Sequence, residues 1–258
     1  MKKLLVTLTV AESKRLIAKG LLATDIVQAA LHHGYLCVTL GTTSAYLVEE
    51  ILGEYDKSRH IAGLTIPHGL WVTDSKMRAY DAIFHKGEYM EKTKVKDVID
   101  EMGPDDVIIK SANALDANLI PLVLLASGTG GTVGSFLGTA AARNIPIIMP
   151  AGLEKCIPSE YGDFVGEFGR DQWDYAIGEP VGVIAVPEGI PFTEMEALEA
   201  LFDVYAIPIS AGGINGAEGS VTFYVEGDDE QIDEAYKFLK DLKGEPIFPL
   251  VEHLKERE

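Results

Sequence analysis

The segment Tyr35-Leu-Cys-Val-Thr-Leu-Gly-Thr-Thr-Ser-Ala-Tyr-Leu-Val-Glu-Glu-Ile-Leu constrains the chain more than any other. A β-rich run stops at Gly41, and apolar residues then recur at helical spacing: Ala45, Leu47, Val48, Ile51 and Leu52. A strand that hands over to a helix within a few residues is the front half of a crossover unit, the connection parallel strands require. The same handover recurs after Leu119 to Leu125, where an apolar run meets Ser127-Gly-Thr-Gly-Gly-Thr132 and a small-residue helix to Arg143. Short apolar runs at 106–110 and 145–149 alternate with further helical patterns. The expected fold class is therefore α/β, with a mostly parallel sheet and helices on both faces.

Two helices are expected ahead of this unit. One follows Thr9, a candidate N-cap, with Val10, Leu16, Ile17, Leu21 and Leu22 as its apolar face. The other runs from Thr24 to His33, with Gly34 read as a left-handed terminator. From about residue 180 the rhythm changes. Strand patterns at 181–186, 206–210, 220–225 and Pro246-Ile-Phe flank helices at 193–204 and 228–242. That β-α-β-β-α-β order is the plan of a ferredoxin-like α+β domain. Two domains are expected, an α/β ligand-binding domain over 1–170 and a ferredoxin-like domain over 180–258.

Composition removes several function classes. The formal charge is −18, from 22 basic and 40 acidic residues, and nucleic-acid surfaces need clustered Lys and Arg. No run of about 18 apolar residues occurs, so no membrane partner is expected. Thr7, Thr9 and the charges from Glu12 to Arg15 interrupt the apolar start, which argues against a signal peptide. Cys37 and Cys156 stand far apart with no CxxC spacing, the usage of a reduced cytoplasmic protein. The six histidines form no HExxH or His/Cys cluster, so neither a metal nor another cofactor is expected. Self-association as a homo-oligomer is compatible with an acidic chain of this size.

The two glycine turns carry the chemistry. The first N–H groups of a helix have no intrahelical partner, and the helix dipole adds partial positive charge there. Glycine lets a ligand approach the backbone, and Ser and Thr hydroxyls donate to it, so an anion site needs no lysine. Gly41, Thr42, Thr43 and Ser44 would form one wall of such a site. Ser127, Gly128, Thr129, Gly130, Gly131 and Thr132 would form the other. The same turns also serve as plain helix caps with nothing bound, and neither has the spacing of a dinucleotide or Walker loop. Between them, Asp105-Asp-Val-Ile-Ile-Lys-Ser-Ala-Asn-Ala-Leu-Asp116 puts Lys110, Asn113 and Asp116 on one loop. These are a cation, an amide and a carboxylate that would face the reacting end of a ligand, though loop Asn and Asp also form Asx-turns.

Residues 35–52 resemble the first strand, phosphate loop and helix of the ribose-5-phosphate isomerase A family. The stretch from Asp105 to Leu119 is similar to that family's Asp-Gly-Ala-Asp-Glu-x-Asp motif. The wider superfamily includes glucosamine-6-phosphate deaminases, sugar-responsive transcription regulators and CoA transferases. The resemblance implies a phosphosugar isomerase-like scaffold. It does not carry over isomerase chemistry, because the two leading catalytic aspartates fall on Lys110 and Asn113 and only Asp116 remains. An ammonium and an amide cannot replace a pair of general-base carboxylates. A CoA transferase-like reading would need a glutamate nucleophile, and Glu154 is the candidate, with Lys155 beside it.

Two functions follow as expectations. One is an enzyme acting on a small anionic metabolite, phosphorylated, carboxylated or CoA-linked. The alternative is a non-catalytic sensing module that uses the ferredoxin-like domain for regulation.

Overall fold

The computed structural model describes residues 1–256. It opens with a strand that the apolar pattern had hidden, β1 (Lys2–Leu8), followed by α1 (Val10–Ala23) and α2 (Asp25–His33). Thr9 caps α1 as expected, in a reciprocal box. Its hydroxyl accepts the Glu12 N–H, and the Glu12 carboxylate accepts the Thr9 N–H at 2.9 Å. There follow β2 (Tyr35–Val38), α3 (Thr42–Leu52), β3 (Gly63–Ile66), β4 (Gly69–Val72), β5 (Ala82–His85) and β6 (Glu88–Met90). The middle of the chain holds α4 (Val95–Val98), β7 (Val107–Ile109), β8 (Ala114–Leu115), β9 (Pro121–Leu125), α5 (Gly131–Arg143) and β10 (Ile147–Pro150). The last third holds β11 (Gly182–Ala185), β12 (Ile190–Phe192), α6 (Glu194–Phe202), β13 (Tyr205–Ala211), β14 (Val221–Gly227) and α7 (Asp229–Leu242).

The protein is α/β, built on a mixed six-stranded sheet of order β12-β10-β7-β2-β5-β6. β12, β10, β7 and β2 run parallel, and β5 and β6 complete the sheet antiparallel. The parallel strands read as continuous apolar runs because both their faces are covered. Leu36, Cys37, Val38, Ile108 and Ile109 have no exposed surface.

Several expectations need correction. Gly34 is not left-handed; its φ is −129°. Glycine is required there for closeness, since a Cβ would run into the carboxylate of Asp106, which accepts the Tyr35 N–H at 2.6 Å. The apolar run ending at Leu125 does form a strand, β9, but it lies outside the main sheet, in a three-stranded antiparallel sheet of order β11-β9-β8. A continuous apolar run shows that a strand is buried, not which sheet it joins.

The C-terminal plan also differs from the ferredoxin-like order. β11 pairs with β9, and Pro246-Ile-Phe forms no strand. The small sheet has the order β1-β14-β13, with β1 antiparallel to β14 along its whole length, Lys2 opposite Gly227 through Leu8 opposite Val221. The first strand of the chain thus belongs with the last two. The expected division into 1–170 and 180–258 therefore does not separate the two sheets, and α1 and α2 lead from the small sheet to β2, inside the large one.

Candidate functional site

All four parallel strands end at one edge of the large sheet, and each delivers polar groups there. β2 leads into Gly41–Ser44, β7 into Lys110–Ala112, β10 into Gly152–Lys155, and β12 into Thr193 and Glu194 at the start of α6. The carboxyl edge of parallel strands is where open α/β sheets place their ligands.

The glycine turn is held from three sides. The Gly41 N–H donates to the His60 carbonyl, and the Gly41 carbonyl accepts from Ala45. The Ser44 N–H donates to Ser111 Oγ at 3.2 Å, and the two serine hydroxyls lie 2.7 Å apart. Gly41 is extended, so its backbone suits any residue, but a Cβ there would sit 2.8 Å from Ser111 Oγ. His60, wholly buried, supports the turn from behind. A carbonyl can only accept, so Nε2 carries the proton that goes to the Thr39 carbonyl, and Nδ1 accepts from the Tyr55 hydroxyl. Burial pushes the imidazole down to about 4 against the pull of that carbonyl, with the Lys110 charge adding to the push. It is a neutral scaffold group. Asp81 is buried beside the turn and accepts N–H groups from Val95 and Leu40. Burial raises its pKa in spite of those bonds.

In front of the turn lies a cluster of lysines and carboxylates. Lys110 Nζ donates to the Ser111 carbonyl at 3.0 Å, and Lys155 Nζ to the Ala112 carbonyl at 2.8 Å. Two ammonium groups from different strand ends thus hang from adjacent peptide carbonyls. Burial pushes Lys110 down to about 8, and repulsion from Lys155 adds to it. Burial lowers Lys155 as well, against the attraction of Glu154 and Glu194. Lys14, from the first turns of α1, brings a third ammonium, 3.9 Å from Glu154 Oε1. Burial again dominates and brings it to about 8. Glu194 is fully buried, accepts the Leu153 N–H at 3.0 Å and is bonded by the Ser13 side chain. Burial and the neighbouring Glu154 carry it up to about 7. The second carboxylate oxygen of Glu154 has no partner among the described residues, and neither does the buried Thr43 hydroxyl.

The residues expected from sequence divide into three groups. Gly41, Thr42, Thr43, Ser44 and Lys110 meet at the sheet edge, joined there by Glu154 and Lys155. Asn113 and Asp116 lie on the same loop with their polar groups engaged by backbone. The Asn113 side-chain carbonyl accepts the Leu124 N–H at 3.0 Å, stitching the loop to β9. Asp116 accepts N–H groups from Asn118 at 2.8 Å, Ile120 at 2.9 Å and Tyr161 at 3.1 Å. Burial opposes its charge, but those three donors outweigh it and hold the carboxyl below the usual carboxylate range. The third group, Ser127 to Thr132, caps α5 at the end of β9. Ser127, Gly128 and Thr129 are exposed, and Ser127 Oγ bonds the hydroxyl of Thr129 at 3.0 Å. This turn thus follows a strand of the other sheet, while the first glycine turn is bonded to the Lys110 turn through Ser111.

Two residues of the cluster were missed in the sequence. Lys14 had a signal, because it falls on the same helical face as Val10, Ile17 and Leu21, where a solvated lysine does not belong. Glu194 had none beyond its place after a helix cap, where an acidic residue already has a reason to sit.

A surface depression of about 680 Å³ opens elsewhere, between α1, α3 and residues 245–249. Its charges are already paired with each other: Arg15 reaches Glu50 at 2.6 Å and Glu245 at 2.8 Å, and also pairs with Glu49. Among the described residues no group of His, Cys, Asp and Glu is arranged to hold a metal, and no helix is long and apolar enough to cross a membrane. No family model, curated protein or solved structure matches the chain.

Proposed function

We propose that the protein binds a small phosphorylated or carboxylated metabolite at the carboxyl edge of its parallel strands and acts on it as an enzyme. One observation carries this reading: the ammonium groups of buried Lys14 and of half-buried Lys110 and Lys155 converge there, and among the described residues Lys110 and Lys155 have only backbone carbonyls as hydrogen-bond partners. Buried cations without full compensation are costly to the fold, and such groups cluster where a ligand supplies the missing charge. The neighbouring Gly41–Ser44 turn adds the positive end of α3. A phosphosugar isomerase-like scaffold fits the glycine turn after a parallel strand, and the isomerase's paired aspartates have no counterpart at Lys110 and Asn113.

Thermal unfolding in the presence of inorganic phosphate, sugar phosphates and small carboxylates tests the reading. A ligand that binds only the native state raises the melting temperature by mass action. The wild type is expected to shift and Lys155→Met to lose the shift. If none of these anions moves the wild-type melting temperature, the reading fails. If one binds but no turnover accompanies it, the protein is a sensor and only the enzymatic half fails.

A further inference from the structure

Resting on the anion-site reading, we propose that Lys110 forms an imine with the carbonyl carbon of an anionic oxo compound, a small aldehyde or ketone bearing a carboxylate or phosphate, and that Lys155 supplies the proton.

The argument begins with the arrangement of the two amines. A lysine becomes a nucleophile when it is desolvated and placed beside another cation, because both favour the neutral amine. Lys110 meets both conditions: it is half-buried and desolvated at the end of β7, with Lys155 tethered to the next carbonyl along. The bond from Nζ to the Ser111 carbonyl uses an N–H, so in the neutral amine the lone pair stays free. Lys14 is the weaker candidate, since Glu154 lies 3.9 Å from it and favours its charged form. Lys155 in turn feels Glu154 and Glu194. Both carboxylates favour its charged form, the form that donates the proton.

The step balances without an oxidant or reductant. The lone pair of Lys110 Nζ attacks the carbonyl carbon, and the C=O π electrons move to oxygen, which takes a proton from the Lys155 ammonium. The new secondary ammonium returns a proton to Lys155. Lys155 then protonates the hydroxyl, which leaves as water while the nitrogen lone pair closes the C=N bond. The products are an iminium on Lys110, a neutral Lys155 and one water. The charge moved to Lys110 is the one Lys155 gave up, and the negative end of the substrate offsets it.

Reductive trapping tests the proposal. The full chain is incubated with pyruvate or with dihydroxyacetone phosphate and sodium cyanoborohydride, then analysed by intact mass and peptide mapping. A single adduct at Lys110 is expected, absent from Lys110→Arg and formed more than tenfold more slowly in Lys155→Met. Phosphate-induced thermal shifts, measured on the same Lys110→Arg sample, report whether its site is folded and still binds an anion. Adducts spread over exposed lysines, or a wild type that shifts with phosphate yet gives no Lys110 adduct with either probe, would overturn the imine while leaving the anion site standing. Loss of both shift and adduct in the wild type removes both.

Discussion

Ser44 and Ser111 join the two strand ends that form the site: their hydroxyls lie 2.7 Å apart, and the Ser44 N–H also donates to Ser111 Oγ. The bond takes up one of the free N–H groups at the start of α3 and fixes how far the turn after β2 stands from the turn after β7. Both serines are buried, so removing one partner leaves the other without water to replace it. Ser111→Ala is expected to cost about 1–3 kcal/mol, the penalty for an orphaned buried donor. Gly41→Ala is expected to act through the same contact, because its Cβ would press on Ser111 from 2.8 Å; overpacking of this kind costs about 1–3 kcal/mol. Urea unfolding of the two variants and of the double variant checks both. The double variant should lose less than the sum, since alanine at 111 removes the 2.8 Å contact with Oγ, although its own Cβ at 2.9 Å keeps part of the clash.

Lys155→Met separates binding from stability. The methionine keeps most of the half-buried stem and removes a cation that repels Lys110 and Lys14. The lost bond to the Ala112 carbonyl and the lost attraction of Glu154 and Glu194 work the other way, and relief from desolvating the charge outweighs them. The unliganded variant is expected to be more stable than the wild type by about 0.5–2 kcal/mol, the size of a common stabilising substitution, whose recurrent cost is lost function. Chemical denaturation without added anion measures this directly. A variant less stable than the wild type would mean that Lys155 serves the fold and not a ligand.

How much of this was legible beforehand follows from what each residue's neighbours are. The turn Gly41–Ser44 could be read because strand, glycine and helix adjoin in sequence, and the local pattern holds the information. Thr9 as a cap, with Glu12 three residues on, is local for the same reason. β1 was hidden because Leu5, 70% exposed, breaks the alternation that Leu4, Val6 and Leu8 would otherwise show. Its partner, β14, lies more than two hundred residues away, and no local pattern records such a pairing. The lysine cluster is assembled by tertiary structure alone: Lys14, Lys110 and Lys155 come from three separate elements, and their proximity exists only once β7 and β10 are neighbours. Asp116 was legible as a chemical group but not in its surroundings, which decide what it does.

Those surroundings give Asp116 a testable role. Its two oxygens accept three backbone N–H groups, one of them from Tyr161, so it organises the loop 116–120 and anchors a distant segment. In Asp116→Asn one oxygen becomes an NH2 group aimed at a backbone donor. The expected loss is about 1–3 kcal/mol of stability, with the phosphate-induced thermal shift retained. Denaturation with and without phosphate distinguishes this from a ligand contact, for which the shift would vanish at unchanged stability.

The cluster also predicts how stability and binding follow pH. Glu194 titrates at about 7 in the folded protein and near 4.5 when unfolded, so between those values the native state holds the extra proton. Its contribution is fully present at low pH and declines as pH rises through 7. His60, lowered to about 4, works in the opposite direction over much the same range, and buried Asp81 sides with Glu194. The comparison must therefore be between wild type and Glu194→Gln, whose difference isolates the one group; wild type should lose ground relative to the variant as pH climbs from 4.5 to 7. For Lys14 and Lys110, at about 8 against 10.5 unfolded, the unfolded chain binds more protons in between, so the native state gains stability as pH rises above 8. The difference between wild type and Lys110→Met should show that gain, free of the tyrosines and cysteines that titrate nearby. Binding follows the reverse course. An anion favours the charged lysines and takes up protons, so its affinity should hold below pH 8 and fade above it. Sulfate is the suitable probe because it does not itself titrate in this range, and Lys155→Met corrects for its general stabilising effect. A sulfate-specific shift that grows above pH 8 would mean that the lysines do not face the ligand.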